Sequence, residues 1–124
     1  MKSRAVLVTT LGAEAPVVAI TTQLLLAKGV RLTAVELLHT LTGAPEIRDA
    51  VNEVHRVFDA HDDWPLLRSV SLPVSDVLSP DEMRMFGNAL FTTLKKWLRQ
   101  DYQVHLLLAG GRVQGGVVVG ATDR

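Results

Sequence analysis

The alternation of strand-like and helix-like segments constrains the fold of this chain more than any other feature. Residues 5–8 are a continuous apolar run, the kind of strand that parallel sheets bury on both faces. Residues 33–39, 68–74 and 103–109 are three further strand candidates, each separated from the one before by a segment with helical periodicity. Successive parallel strands need right-handed crossovers. The pattern therefore predicts an α/β fold: a single domain over residues 1–124, with an open parallel sheet in strand order about 3-2-1-4 and helices on both faces.

The three helix candidates have recognisable end signals. The first opens at Pro16 and ends at Gly29, the second spans about residues 45–61, and the third begins at Ser79, followed by Pro and then Glu at the spacing of a capping box. Apolar stripes are predicted at Val17, Ile20, Leu24 and Leu25 in the first helix, at Ile47, Val51, Val54 and Phe58 in the second, and at Met83, Phe86, Leu90, Leu94 and Trp97 in the third. A short, glycine-broken segment, residues 113–119, closes the chain.

Composition excludes several classes of function. The 124 residues carry 13 basic and 13 acidic side chains, a balance that argues against binding of a long nucleic acid, which needs many phosphate contacts. The chain has no cysteine, hence no disulfide framework and no thiolate metal site. Residues 1–4 are too brief for a signal peptide, and no apolar run approaches the roughly 20 residues that span a membrane. We expect a cytoplasmic protein without a membrane partner.

Two turns that suit phosphate follow the first and last strand candidates. Thr9-Thr10-Leu11-Gly12 follows the first strand, and Gly110-Gly111-Arg112 follows the fourth. Free N–H groups at a helix start favour an anion. Glycines allow close backbone approach, and arginine adds a bidentate donor. In strand order 3-2-1-4 the two turns meet where the winding reverses, which is where such sheets bind ligands. Ordinary strand-to-helix loops are the alternative. Neither turn has the spacing of a Walker loop or of a dinucleotide fingerprint.

Most of the other candidate residues have both a functional and a structural interpretation. Residues 39–42 follow the second strand, and their side chains, His39 and Thr40 among them, could approach the same rim; in the alternative, His39 and Thr42 cap the second helix. Glu14 is a candidate general base or a favourable charge in the first turn of a helix. His105 is predicted to be a packed, hydrogen-bonded strand residue. Trp64 and Trp97 either stack on bases or belong to the core or an interface. His55 and His61 are six apart and do not share a helix face, so no metal site is predicted.

These segments together resemble a known family. Residues 6–12, then 16–18, 37–40 and 107–112, are similar to the CARF domain (CRISPR-associated Rossmann fold), and most of all to its Csm6, Csx1 and ring-nuclease group. The resemblance covers nearly the whole chain. It implies a homodimer that binds a cyclic oligoadenylate across its two-fold axis, as part of type III CRISPR antiviral signalling. Some family members also cleave the ring.

The resemblance implies a set of site residues. Thr10 and Arg112 are the candidate catalytic residues. The candidate ligand-binding residues are Thr9, Thr10, Leu11, Gly12, His39, Thr40, Gly110, Gly111, Arg112 and Gln114. The chain departs from the family pattern at Val113, where a lysine usually follows the arginine. Most members of the family carry an effector domain as well, so we expect these residues to be either a standalone CARF protein or its sensor part.

The expected function is a metal-independent ring nuclease that needs no cofactor and acts on a cyclic oligoadenylate, with cyclic tetra-adenylate the favoured ring. In this mechanism the ribose 2′-OH attacks the neighbouring phosphorus, giving a 2′,3′-cyclic phosphate. Two alternatives stay open: a non-catalytic sensor that regulates a separate effector, and a generic nucleotide-binding domain. Residues 117–119 and Trp97 are the candidate dimer interface.

Overall fold

A single sheet organises the computed structural model of the chain, which describes residues 4–11, 15–40, 45–74, 79–109 and 116–121. The sheet has five strands in the order β3-β2-β1-β4-β5. In chain order the elements are β1 (Ala5–Leu11), α1 (Ala15–Ala27), β2 (Leu32–His39), α2 (Pro45–Asp59), β3 (Leu66–Ser71), α3 (Pro80–Arg99), β4 (Gln103–Ala109) and β5 (Gly116–Ala121).

The first four strands have the predicted order and direction. β1 pairs in parallel with β2 on one side and with β4 on the other, and β2 pairs in parallel with β3. The prediction of an α/β sheet in the order 3-2-1-4 is therefore confirmed. The fifth strand is an addition to it. β5 lies antiparallel beside β4, with Leu106 opposite Val119, so the sheet is mixed at this edge. Most of this strand lies within residues 113–119, the segment that the sequence analysis described as short and broken by glycines.

The core consists of two layers, one on each face of the sheet. Side chains alternate along β1: Leu7 packs into one apolar cluster, and Val6 and Val8 pack into the other. The cluster around Leu7 holds the buried residues of α1 and α2, including Phe58. The opposite cluster is covered by α3, which contributes the buried Trp97. Helices thus cover both faces, as predicted.

The apolar stripe predicted for α1 is partly wrong. Ile20 and Leu24 lie on the outer side, 55% and 56% exposed. The buried positions are Val18, Thr21, Thr22 and Leu25, which follow the helical spacing i, i+3, i+4 and i+7. Burial of Thr22 is possible because its hydroxyl donates to the Val18 carbonyl and so needs no water. α1 is apolar nearly all round, and periodicity alone does not identify its buried face. In α2 the predicted stripe is buried throughout.

The predicted end signals of two helices are confirmed. Gly29 has a positive φ of 83°, and the N–H groups of Gly29 and Val30 donate to Leu26 and Leu25, which closes α1 with a Schellman motif. At the start of α3, the Ser79 hydroxyl accepts from the Glu82 N–H at 3.2 Å. The Ser79 N–H in turn donates to the Glu82 carboxylate at 3.0 Å. The Gly29 motif therefore sets where α1 ends, and the Ser79 capping box sets where α3 begins.

Candidate ligand site at the carboxyl edge of the sheet

Thr9 and Thr10 lie inside β1, not in a turn after it. β1 continues to Leu11, three residues beyond the predicted end, and Thr9 and Thr10 are opposite Leu37 and Leu38 of β2. Threonine is β-branched and suits a strand, and the backbone ladder pairs its N–H and C=O groups. The prediction that residues 9–11 form a turn is therefore wrong. They are the last residues of a buried strand.

The two threonine hydroxyls differ in their surroundings. Thr9 is fully buried, and its hydroxyl donates to the Thr10 carbonyl at 3.0 Å. Thr10, one residue nearer the strand end, keeps 9% of its surface exposed. Of the pair, Thr10 therefore lies closer to the edge at which a ligand would bind. Gly12, the last residue of the first predicted turn, lies outside the described residues.

β4 brings the second predicted turn to the same edge as β1. Thr9 is opposite Leu107 in the parallel β1–β4 pair, and β4 ends two residues later at Ala109. Gly110 follows directly in the sequence. The carboxyl ends of adjacent parallel strands meet at one sheet edge, and β1 and β4 are the neighbours between which the winding reverses. Gly110, Gly111, Arg112, Val113 and Gln114 themselves lie outside the described residues.

The end of β2 adds two polar side chains beside β1. His39 is the last residue of β2 and is opposite Leu11, the last residue of β1. His39 is 3% exposed, and Thr40 is 7% exposed. The Thr40 hydroxyl has no hydrogen-bond partner among the residues that the structure describes. A buried hydroxyl left unpaired costs about 1–3 kcal/mol, so this one, at a strand end, is a candidate for pairing with a ligand or an ordered water.

A hydrogen bond to the neighbouring carbonyl sets the tautomer of the neutral His39 imidazole. Its Nδ1 lies 2.8 Å from the Thr40 carbonyl oxygen. Because a carbonyl oxygen only accepts, Nδ1 carries the hydrogen, and in the neutral ring Nε2 keeps its lone pair. Thr42, the other residue of the capping interpretation, lies outside the described residues. Within the described part of the chain, the His39 imidazole makes its hydrogen bond to Thr40 and none to α2, which is compatible with a place at the rim.

His105 lies within β4, four residues before the strand ends. It is opposite Leu7 of β1 and is half-buried. The expected hydrogen bond is missing at Nε2, which is buried without a partner in the described residues. Desolvation by burial lowers the pKa of His105, because burial disfavours the charged imidazolium. The prediction of a strand histidine is confirmed, and its hydrogen-bonded character is corrected for that nitrogen.

Both tryptophan rings pack against other residues of the chain. Trp97 is 7% exposed, and its indole nitrogen donates to Glu36 at 2.6 Å, so its place in the predicted dimer interface is wrong and its place in the core is confirmed. Trp64 stacks on His61 with ring centroids 4.1 Å apart and meets the edge of Phe58 at 4.9 Å. Both rings are engaged within the chain.

A basic groove that the sequence did not predict lies away from the candidate site. It is lined by Thr92, Lys95, Lys96, Arg99 and Gln100 along the last turns of α3. The end of α3 directly precedes the start of β4, whereas the candidate site lies beyond the strand ends.

Within the described ranges, no group of three or more His, Asp or Glu residues is placed to hold a metal ion. None of the described helices is both long and apolar enough to cross a membrane.

Comparison with known proteins gives no family assignment. No family model matches the chain, and no curated protein matches it. The geometry of the site therefore stands beside the sequence resemblance as the basis for a functional proposal.

Proposed function

We propose that the chain binds a cyclic oligoadenylate, with cyclic tetra-adenylate as the favoured ring, and cleaves it without a metal ion. The proposal places the protein in type III CRISPR antiviral signalling as a ring nuclease of CARF type. Thr10 and Arg112 are its catalytic residues. The wider binding set is that of the sequence analysis, Thr9 to Gly12, His39, Thr40, Gly110, Gly111, Arg112 and Gln114.

One observation carries the proposal. β1 and β4 are adjacent and parallel, with Thr9 opposite Leu107, and the order of the strands reverses between them. The two sequence motifs that resemble the family's phosphate-binding segments are thus attached to neighbouring strand ends. His39 and Thr40 add polar groups at the adjacent end of β2. A crevice at such a point is where open α/β sheets bind nucleotides.

The proposed reaction needs little from the protein beyond position and charge. The ribose 2′-oxygen attacks the adjacent phosphorus, the bond from phosphorus to the 5′-oxygen breaks, and a 2′,3′-cyclic phosphate forms. The attack is intramolecular, so the protein contributes by holding the 2′-oxygen, the phosphorus and the 5′-oxygen in line. Arg112 and neighbouring backbone N–H groups would stabilise the negative charge on the phosphorane, and Thr10 would orient the ribose or the phosphate.

The decisive experiment is incubation of the protein with labelled cyclic tetra-adenylate in excess EDTA. We expect linear products that end in a 2′,3′-cyclic phosphate, which mass spectrometry separates from a 3′-phosphate by the mass of one water. A ring whose riboses carry 2′-O-methyl groups should bind and stay intact. Cleavage that stops in EDTA and returns with a divalent metal would rule out this mechanism.

The sensor alternative has its own supporting observation. Val113 stands where the family pattern usually has lysine. If tight binding occurs without cleavage, the chain is a sensor, and Val113→Lys is the variant that should create or raise cleavage. Val113→Ala is the matched control, since it changes the same position without adding a charge.

The proposal also includes a homodimer. A ring with two-fold or four-fold symmetry suits a two-fold interface, which would present each strand end twice. Trp97 is no longer a candidate contact, because it lies in the chain's own core. Residues 117–119 remain candidates, as they belong to β5 at the sheet edge. Light scattering at micromolar concentration, with and without ring, should give twice the mass of the chain. A monomer under both conditions would contradict it.

A further inference from the structure

We propose that His39 is the general base that takes the proton from the attacking 2′-OH, an inference that rests on the proposed ring-nuclease function. The sequence pointed to Glu14, which lies outside the described residues, as a distant candidate base, and to His39 as a residue of the rim or a helix cap. The position and hydrogen bonding of His39 give it the more specific role.

The hydrogen bonding of His39 leaves Nε2 as the acceptor nitrogen of the neutral ring. Nδ1 donates to the Thr40 carbonyl at 2.8 Å, which leaves the lone pair of the neutral ring on Nε2. Nε2 makes no hydrogen bond within the part of the chain that the structure describes. The residue is 3% exposed, so its packing restricts the orientation of the ring. A positioned, unprotonated nitrogen is what proton abstraction requires.

The location of His39 also suits the reaction. His39 ends β2 opposite Leu11, the last residue of β1, so it lies beside the strand that carries Thr10. Next to it the Thr40 hydroxyl is nine-tenths buried and has no partner among the described residues. The β2 end therefore combines a free acceptor nitrogen with an unsatisfied hydroxyl. Together they fit a ribose, whose hydroxyl groups both donate and accept hydrogen bonds.

Other titratable groups of the described chain are less suited. Glu36 is buried in the middle of β2 and already accepts hydrogen bonds from Trp97 and Lys96. His105 lies four residues before the end of β4. At the last positions of the four parallel strands, Leu11, His39, Ser71 and Ala109, His39 is the one titratable side chain in the described residues.

The step balances in protons and bonds. The 2′-oxygen gives its proton to Nε2 as it forms the new bond to phosphorus, and the bond to the 5′-oxygen breaks. The 5′-oxygen takes a proton from solvent, and the imidazolium returns its proton to solvent in a later step. No oxidant, reductant or metal enters the reaction.

The test is the variant His39→Asn, because an asparagine amide can still donate to the Thr40 carbonyl while it lacks a nitrogen equivalent to Nε2. Single-turnover cleavage of cyclic tetra-adenylate and calorimetric affinity for the ring are measured for each protein. We expect affinity within about threefold of the parent and cleavage slower by about a hundredfold or more, since general bases contribute roughly 10²- to 10⁴-fold.

His61→Asn is the matched control. His61 also donates from Nδ1 to a carbonyl, that of Val57 at 2.9 Å, but is exposed beyond the end of α2, so both measurements should stay unchanged.

A measurement on the unmodified protein covers the case in which the variant fails to fold. Long-range ¹⁵N–¹H spectra of the imidazole nitrogens should show the Nδ1–H tautomer for His39. An Nε2–H tautomer would overturn the proposal. So would a His39→Asn variant that cleaves the ring at the parent rate, or one that loses ring binding together with cleavage. Parent protein that binds the ring without cleaving it would also overturn the base while leaving the binding function intact. Absence of ring binding by the parent would refute the proposed function itself.

Discussion

Trp97 of α3 donates its indole hydrogen to the carboxylate of Glu36 in β2, across 2.6 Å between Nε1 and Oε1. Both residues are buried, Glu36 at 3% exposure. The Lys96 ammonium lies 3.2 and 3.3 Å from the two oxygens of the same carboxylate. A buried charge needs such partners, because an unpaired carboxylate in the interior is strongly disfavoured. The cluster of Glu36, Lys96 and Trp97 therefore ties α3 to the strand that ends in His39.

The first prediction concerns that hydrogen bond. Trp97→Phe removes the indole donor, keeps an aromatic ring in the core, and leaves the Glu36 carboxylate with Lys96 alone. We expect the free energy of unfolding to fall by about 1–3 kcal/mol in urea titrations. Trp64→Phe is the matched control, since the Trp64 indole nitrogen makes no hydrogen bond in the described ranges. Equal losses in the two variants would show that ring size, and not the bond to Glu36, sets the cost.

The fold was predictable because its signals are local and repeated. Apolar runs such as residues 103–109 mark buried strands, and the structure begins and ends β4 at those residues. Ser79 and Gly29 mark helix ends through the chemistry of one turn. Ile20 and Leu24 were misplaced because α1 is apolar on nearly every side, so its buried face is chosen by tertiary packing. β5 was missed because glycines at positions 115, 116 and 120 flank a run of only three valines, which is a weak strand signal.

The candidate site was only partly predictable. The edge at which Thr10 and His39 lie follows from strand order, which the sequence indicates. That Thr9 and Thr10 belong to the strand depends on pairing with β2 and β4, which no local pattern shows. The unpaired hydroxyl of Thr40 is likewise a property of the assembled sheet. The partner that satisfies Glu36 comes from a helix 60 residues away in sequence.

The second prediction concerns the start of α3. Ser79→Ala removes the hydroxyl that accepts from the Glu82 N–H, and leaves that end of the helix without its cap. The expected loss of unfolding free energy is about 1 kcal/mol, within a range of roughly 0.5–2 kcal/mol. Thr92→Ala, at an exposed position inside the same helix, serves as the control and should not destabilise, because alanine has the higher helix propensity. A cost for Ser79→Ala no larger than that for Thr92→Ala would contradict a capping role.

The third prediction is a pH dependence of stability set by His105. Burial lowers the pKa of His105 in the folded state below its unfolded value of about 6.5. The unfolded chain therefore binds more protons between the two values. The contribution of this group to stability is present above about pH 6.5 and is lost as the pH falls towards the lowered folded pKa. His105→Leu should flatten the dependence of unfolding free energy on pH between about pH 7 and pH 5. A variant whose stability falls as steeply as the parent's over that interval would show that other groups are responsible.

The fourth prediction tests the motif that follows β4. Arg112→Ala should weaken binding of cyclic tetra-adenylate by roughly tenfold to a hundredfold, because a charge-assisted hydrogen bond to phosphate contributes about 1.5–3 kcal/mol. A dimer that presents the arginine twice would enlarge the effect. Arg99→Ala removes the same charge from the last turn of α3, which lies towards the opposite end of β4, and should leave the affinity unchanged. Calorimetry on both variants separates two effects of Arg112→Ala: the loss of a local contact with the ring and the loss of one positive charge. Both variants lose the charge, but only Arg112→Ala loses a contact at the strand end. If the two variants bind the ring alike, the Gly-Gly-Arg segment is a structural corner and the ring must be held by other groups at the carboxyl edge.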